Sequence, residues 1–406
     1  MKFNKIIPKK YKYKTNDTVL LFHKICNIVY VGCGTNFMFD NLKLPDRFIR
    51  VFSYVSKVFE ALTIALILSE WGAFFTHKNL TIMQKTDLVL YAPTSVTLYA
   101  MYLNAVFRKE QIKELGYTLA VTLKEMFSDG ATERLMVKKT WRFVTAMAVL
   151  VFGLVISTGI DTGYRAITTN ATFTTMIPAW PMLEDRSTAA GICRIAHYVV
   201  WLIFVSRVGS MYFIILAVAI SLQHQFRILH EYFLSLGSIF DGEGSYEEKE
   251  RKYEEAVVHG IKMHSLTLWC TNETQVTCGL AFSMQVVTNV LSLVLLMVQW
   301  MNMERTFANA LHVVLFACVM LIGTGIFMWN AGDITFEAAK LPTAIFHSGW
   351  YHCRGESSVR VRKLVTIAMR RAQDRVVIKG FGIMELSYES YISIVKSSYS
   401  VFSVMY

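Results

Sequence analysis

The sequence predicts an all-α membrane protein. It reads as seven transmembrane helices with the N-terminus cytoplasmic, the C-terminus extracellular and a helical cytoplasmic anchor layer. Three observations predict this. The 406 residues are 54% hydrophobic and 17% charged, with a mean hydropathy of +0.38, where a soluble chain carries roughly 25% charged residues. Apolar runs of the length a bilayer demands, about 20 residues, recur along the chain. Lys and Arg are concentrated in alternate loops: of 41, 31 lie in residues 1–47, 108–142, 223–262 and 330–380, and only four (Lys78, Arg165, Arg186, Arg305) in the loops between. Positive loops stay cytoplasmic, which fixes the orientation.

The net charge of +11 therefore belongs to membrane-flanking loops, and no nucleic-acid partner is implied. The seven cysteines are scattered without a C-x-x-C pair, so neither a zinc site nor a disulfide framework is indicated. The N-terminus is basic and polar through Asp17, without a signal-peptide apolar region. Residues 19–34 are apolar but broken by His23 and Lys24, which suits an interfacial or packed helix.

The spans follow in order. The first covers residues 48–75, the second 82–107 with Pro93 inside, and the third 143–160. A proline is tolerated there when neighbouring helices satisfy the freed carbonyl. The fourth runs from 189 to 222 and continues as a helical pattern to 236. The fifth starts weakly at 263 and is strong over 279–301; the sixth covers 307–329 and the seventh 383–406. Glu389, Ser393, Lys396, Ser397, Ser400 and Ser403 share one face of the seventh, and Tyr388, Ile392, Val395, Tyr399 and Phe402 the other. Such a stripe needs water, as in a pore, or a packed partner helix, because a charge at mid-bilayer is costly.

The cytoplasmic loops carry helical patterns of their own. Residues 108–142 read as a helix broken at Asp129-Gly130, 245–262 as a solvated charged helical face including Glu250, and 333–373 as helices with apolar faces. The chain divides into a cytoplasmic segment (1–47), six spans with a candidate pocket (48–330), an anchor segment (331–380) and a last helix (381–406). In the longest external segment, Asn170-Ala171-Thr172 is an N-glycosylation acceptor pattern.

No catalytic or metal-binding constellation is present: H-E-x-x-H, G-x-S-x-G and P-loop patterns are all missing, and an enzyme is not indicated. A ligand pocket is easier to argue. Near the outer halves of spans two, three, four and six lie Met83, Asp87 and Tyr91; Phe152, Ile156 and Ile160; His197 and Trp201; and Phe316 and Met320. Each group has helical spacing, and aromatic, Met and branched side chains suit a small, volatile, mostly apolar ligand. The same spacing suits ordinary helix packing. Arg207, midway along span four, requires a buried partner.

The last third of the chain resembles the insect odorant receptor family. The resemblance is carried by Ser348-Gly349-Trp350-Tyr351, by Arg371-Ala372-Gln373 and above all by Ser387 to Phe402, which follows the terminal S-x-L/V-K-x-S-Y-S-x-F pattern. Asp374-Arg375 departs from the usual Lys-Pro that follows. The resemblance implies a ligand-gated cation channel, a tetramer whose last helices line a central pore above a cytoplasmic anchor. It implies an odorant pocket in each subunit and the plasma membrane of sensory-neuron dendrites, with no cofactor. Only about 40 residues separate spans four and five, so the chain looks like a tuning subunit that pairs with a shared co-receptor. Carried onto the last helix, the pattern puts the gate at Val404, with Ser400 and Val401 one turn below and Lys396 and Ser397 toward the cytoplasmic entrance. A gustatory receptor channel is the alternative, and a G-protein-coupled receptor, with its N-terminus outside, a second.

Overall fold

A helix that is apolar on every side must either be buried or turn that surface to lipid, and this chain does both. A computed structural model describes residues 13–168, 172–302 and 307–405. In chain order the helices are α1 (Asp17–Cys33), α2 (Asp46–Thr76), α3 (Ile82–Phe107), α4 (Lys109–Tyr117), α5 (Leu123–Met126), α6 (Gly130–Thr168), α7 (Thr188–Ser235) and α8 (Tyr246–Asn302). They continue as α9 (Phe307–Ala339), α10 (Leu341–Phe346), α11 (Ser358–Ala372) and, after strands β1 (Lys379–Gly380) and β2 (Met384–Glu385), α12 (Tyr388–Met405). The 48 residues of α7 and 57 of α8 far exceed the roughly 20 that cross a bilayer. Both therefore project well beyond it.

Five helices among the described residues are long and apolar enough to cross a membrane: α2, α6, α7, α8 and α9. The second and seventh expected spans, α3 and α12, are not among them. Their Tyr, Thr, Ser, Asn and charged residues dilute the apolar signal. Position in the bundle separates the five. The most apolar stretch is 83% buried in α7 but only 17% in α2 and 22% in α6. Thus α7 is the central post, while α2 turns Val51, Tyr54, Leu68 and Phe75 outward. The inward face of α2 is mixed: Ser56, Thr63 and Glu70 are buried beside Leu66, Ile67 and Ala73.

The expected packed helix at 19–34 is α1, which packs on α7 and buries Val19, Phe22, Ile25 and Val29. Asn16 caps it by accepting from the Val19 amide at 2.8 Å. The break at Asp129-Gly130 is also present, since α6 starts at Gly130. A single turn of π-helix, Thr118–Thr122, joins α4 to α5 and had no signal in the hydrophobic period.

At the basic end of the bundle a second apolar core gathers Phe233 of α7, Tyr253 and Val257 of α8, Ile345 of α10 and Val361 and Val365 of α11. The Ser-Gly-Trp-Tyr motif closes this layer. Ser348 is fully buried and its hydroxyl lies 2.7 Å from the Tyr253 hydroxyl. Gly349 sits at φ 93, and a Cβ there would come within 2.8 Å of the Gly237 Cα, so only glycine fits. The reading of 245–262 as a solvated face needs one correction. Glu250 is 3% exposed and accepts from the Arg354 and Gly355 amides at 2.5 and 2.7 Å. A carboxylate that satisfies loop amides is worth burying.

The last helix also differs from expectation at its start. It begins at Tyr388, not Ile383, because residues 379–385 form a hairpin with Lys379 opposite Glu385. Its turn closes with the Ile383 amide donating to Gly380 O at 3.1 Å, and Phe381 and Gly382 have φ 53 and 71. That is the turn hand that suits hairpin twist. Gln275 of α8 holds β1 from both sides, donating to Lys379 O at 2.8 Å and accepting from its amide at 2.7 Å. The base of α12 is thereby fixed to α8.

Candidate ligand-binding site and ion path

One face of α3 runs from the loop end of the bundle into its centre: Gln84, Asp87, Tyr91, Thr94 and Ser95, then Leu98. Below Tyr91 these residues line an internal cavity of ≈ 120 Å³, shared with α6, α7, α8 and α9. An apolar cavity of about 150 Å³ holds one benzene ring. Trp201 and Phe316 stand edge-on to Tyr91, with ring centroids 6.2 and 6.1 Å away and planes at 84° and 75°, the aromatic geometry that the ring quadrupole favours. Met320 completes this wall.

Four of the expected pocket residues, Tyr91, Trp201, Phe316 and Met320, are brought together here. Others are not. Ile156 and Ile160 are 49% and 67% exposed on the outer side of α6, and Phe152 does not line the cavity either. That helix presents Met147, Leu150, Val151, Leu154 and Val155 instead. The cause is that residues 143–160 are apolar all round, so no period marks the inner face. His197 of α7 is turned back on its own helix, its Nδ1 2.9 Å from Cys193 O. The side chain of Met83 and the residue Asn170 lie outside the described residues.

Sequence reasoning missed the cavity's contribution from α8. Gln285 accepts from the Tyr212 hydroxyl at 2.5 Å and donates to Thr324 Oγ1 at 3.1 Å, and Thr288 lies one turn on. The signal was available: Gln285, Thr288, Ser292 and Gln299 recur at helical spacing within an apolar span. Asp87, above Tyr91, accepts from Gln299 Nε2 at 3.0 Å. Beyond it a second hollow of ≈ 270 Å³ lies between α3 and loop residues Thr172, Thr174, Met176 and Ile177. The loop is tied down over the bundle, with the Ala179 amide donating to Ser69 O at 2.8 Å and Arg194 donating to Met182 O and Asp185 O at 2.7 Å.

The last helix has the other candidate function. Ser387 caps it, accepting from the Ser390 amide at 3.1 Å. Tyr391 donates to Leu321 O at 3.0 Å, and Ile394 is buried, which seats α12 on α8 and α9. Of the face opposite the stripe, Tyr388, Ile392 and Tyr399 are 47%, 54% and 62% exposed and Val395 is half-buried. Ser393, Lys396, Ser397, Ser400 and Ser403 are exposed as well. The stripe is therefore not buried within the chain. Val401 and Val404 belong to α12, but their side chains lie outside the described residues.

The family model for 7tm odorant receptors matches residues 94–399, three quarters of the chain. The chain belongs to the 7tm odorant receptor family. Among solved structures the receptor resembles the insect olfactory receptor OR5 from Machilis hrabei, at a TM-score of 0.75 and 11% identity over 96% of this chain and 99% of that one. A second structure of that protein, in complex with eugenol, gives a TM-score of 0.76 at 13% identity with the same coverage. At such identities the likeness establishes the fold alone. A search of curated proteins returns no match. The receptor is thus a multi-pass membrane protein of olfaction, with an apolar cavity in its bundle and an exposed polar stripe on its last helix.

Proposed function

We propose that this odorant receptor is the tuning subunit of an odorant-gated, non-selective cation channel. It forms a heterotetramer with a shared co-receptor in the plasma membrane. The observation that carries the reading is the exposure of Ser393, Lys396, Ser397 and Ser400 on a helix whose packed side, Tyr391 and Ile394, is turned to α8 and α9. In lipid such a stripe requires water or a polar partner. Several copies of α12 around a common axis supply both. The charge distribution supports a cytoplasmic N-terminus and a cytoplasmic layer of α10 and α11, with Lys396 toward the inner entrance. Val404 forms the hydrophobic gate at the outer end, with Val401 and Ser400 beneath it, closing the pore by dewetting. A small, mostly apolar odorant in the cavity beside Tyr91, Trp201, Phe316 and Met320 binds the open arrangement better than the closed one. Only that difference moves the gate.

The test is electrical. Cells expressing the receptor with the co-receptor should pass odorant-evoked cation current, and Val404→Ser should raise the ligand-free leak. Current without the co-receptor would move the reading to an autonomous gustatory-type channel. A tag at Met1 that stains without permeabilisation would overturn the orientation.

A further inference from the structure

Resting on the pocket reading above, we infer that the cavity selects an uncharged ligand with a single hydrogen-bond-accepting oxygen, a ketone, ester or ether in class, held between Thr94 of α3 and Thr288 of α8. Both threonines line the cavity and are 8% and 3% exposed, and neither hydroxyl has a hydrogen-bond partner. This is unlike the helical threonines around them. Thr97, Thr158, Thr274 and Thr277 each donate back to the carbonyl four residues earlier, at 2.7 to 2.9 Å.

The two hydroxyls also belong to one level of the bundle. Gln299 donates to Asp87 at 3.0 Å near one end of the contact, and Asn104 donates to Thr277 O at 3.1 Å near the other. Between these clamps α3 and α8 run antiparallel, which sets Thr94 and Thr288 at the same depth to within about one turn. The remaining lining fixes what else the ligand must be. The Gln285 amide is committed to Tyr212 and Thr324, and the lining contains no charged side chain. An ionic ligand meets no counter-charge there. A pure hydrocarbon fills the aromatic wall and leaves both hydroxyls unmet. A carbonyl or ether oxygen accepts from either, each bond being worth roughly tenfold in affinity.

The experiment uses full-length receptor in nanodiscs and measures the partition of volatile probes by headspace analysis. The probes are shape-matched pairs of a size the cavity can take: butanone with 2-methyl-1-butene, and diethyl ether with n-pentane. The oxygenated member of each pair should bind about tenfold tighter. Thr94→Val and Thr288→Val keep the side-chain shape and should each narrow that ratio without weakening the hydrocarbon. Equal binding within both pairs, a ratio unchanged in both variants, or no binding of any probe overturns the inference. Trp201→Ala separates the two readings: affinities it leaves unchanged for all four probes overturn the pocket itself, whereas equal pairs weakened together by Trp201→Ala overturn only the ligand class.

Discussion

The Arg207 guanidinium of α7 lies 2.6 Å from the Glu60 carboxylate of α2. It also donates to Cys33 O and Ser56 O at 3.3 Å and stands over the Tyr102 ring, 5.4 Å from its centroid. Tyr99 and Tyr102 donate their hydroxyls to the same carboxylate. One buried cation thus joins the central helix to α2, α3 and the end of α1. Arg suits the task because its planar fork reaches several acceptors at once.

Removing Glu60 leaves the 4%-exposed Arg207 side chain buried and unmatched, which costs about 3–5 kcal/mol, whereas Glu60 keeps 28% of its side chain exposed and loses less when Arg207 is removed. Arg207→Met and Glu60→Gln should each lower the thermal midpoint of the detergent-solubilised receptor and its surface expression. The double variant should recover much of the loss. Additive losses in the double variant would show that the two residues act independently.

In the cavity, Trp201→Ala or Tyr91→Ala should weaken odorant potency by 10-fold or more, as expected when a central aromatic contact of about 2 kcal/mol is lost. Ile156→Ala and Ile160→Ala, on the outer side of α6, should leave dose–response curves in place. Reversed outcomes for the two pairs would put the ligand elsewhere.

Asp333 of α9 connects the cavity helices to the last helix. Lys139 of α6 lies 2.6 Å from its Oδ2, and Tyr388, the first residue of α12, donates to its other oxygen. Both α6 and α9 line the cavity above. Tyr388→Phe should therefore shift ligand-free and maximal current about fivefold, the weight of one hydrogen bond of about 1 kcal/mol, with ligand affinity unaltered. A change in affinity alone would disconnect this contact from opening.

His224, just past the expected end of the fourth span, is 5% exposed. Burial pushes its pKa down to about 4, partly offset by its bond to Ile220 O and reinforced by Lys139, Lys124 and Arg227. The unfolded chain takes up this proton near pH 6.5 and the folded chain only near 4. Stability is therefore full above 6.5 and falls as pH drops toward 4, by roughly 1.4 kcal/mol per unit across that window. Thermal midpoints recorded from pH 7 to 4.5 should fall less steeply for His224→Gln than for the native receptor. Parallel curves would assign the acid sensitivity to other groups.

The sequence by itself determined the class, the run of apolar helices and the alternation of charge, because these depend on composition and length, which need no partner. It also marked Tyr91, Trp201, Phe316 and Met320, whose size and spacing suit a cavity wall. Only the tertiary structure decided which side of α6 faces inward, since a helix apolar all round has no period to read. It alone paired Arg207 with Glu60, 147 positions apart in the chain, and turned Thr94 and Thr288 toward one cavity. For the last helix, periodicity drew a polar stripe, and packing through Tyr391 and Ile394 settled which side the chain covers. A contact between distant segments is fixed by the register of packed helices, and register is a property of the assembled bundle.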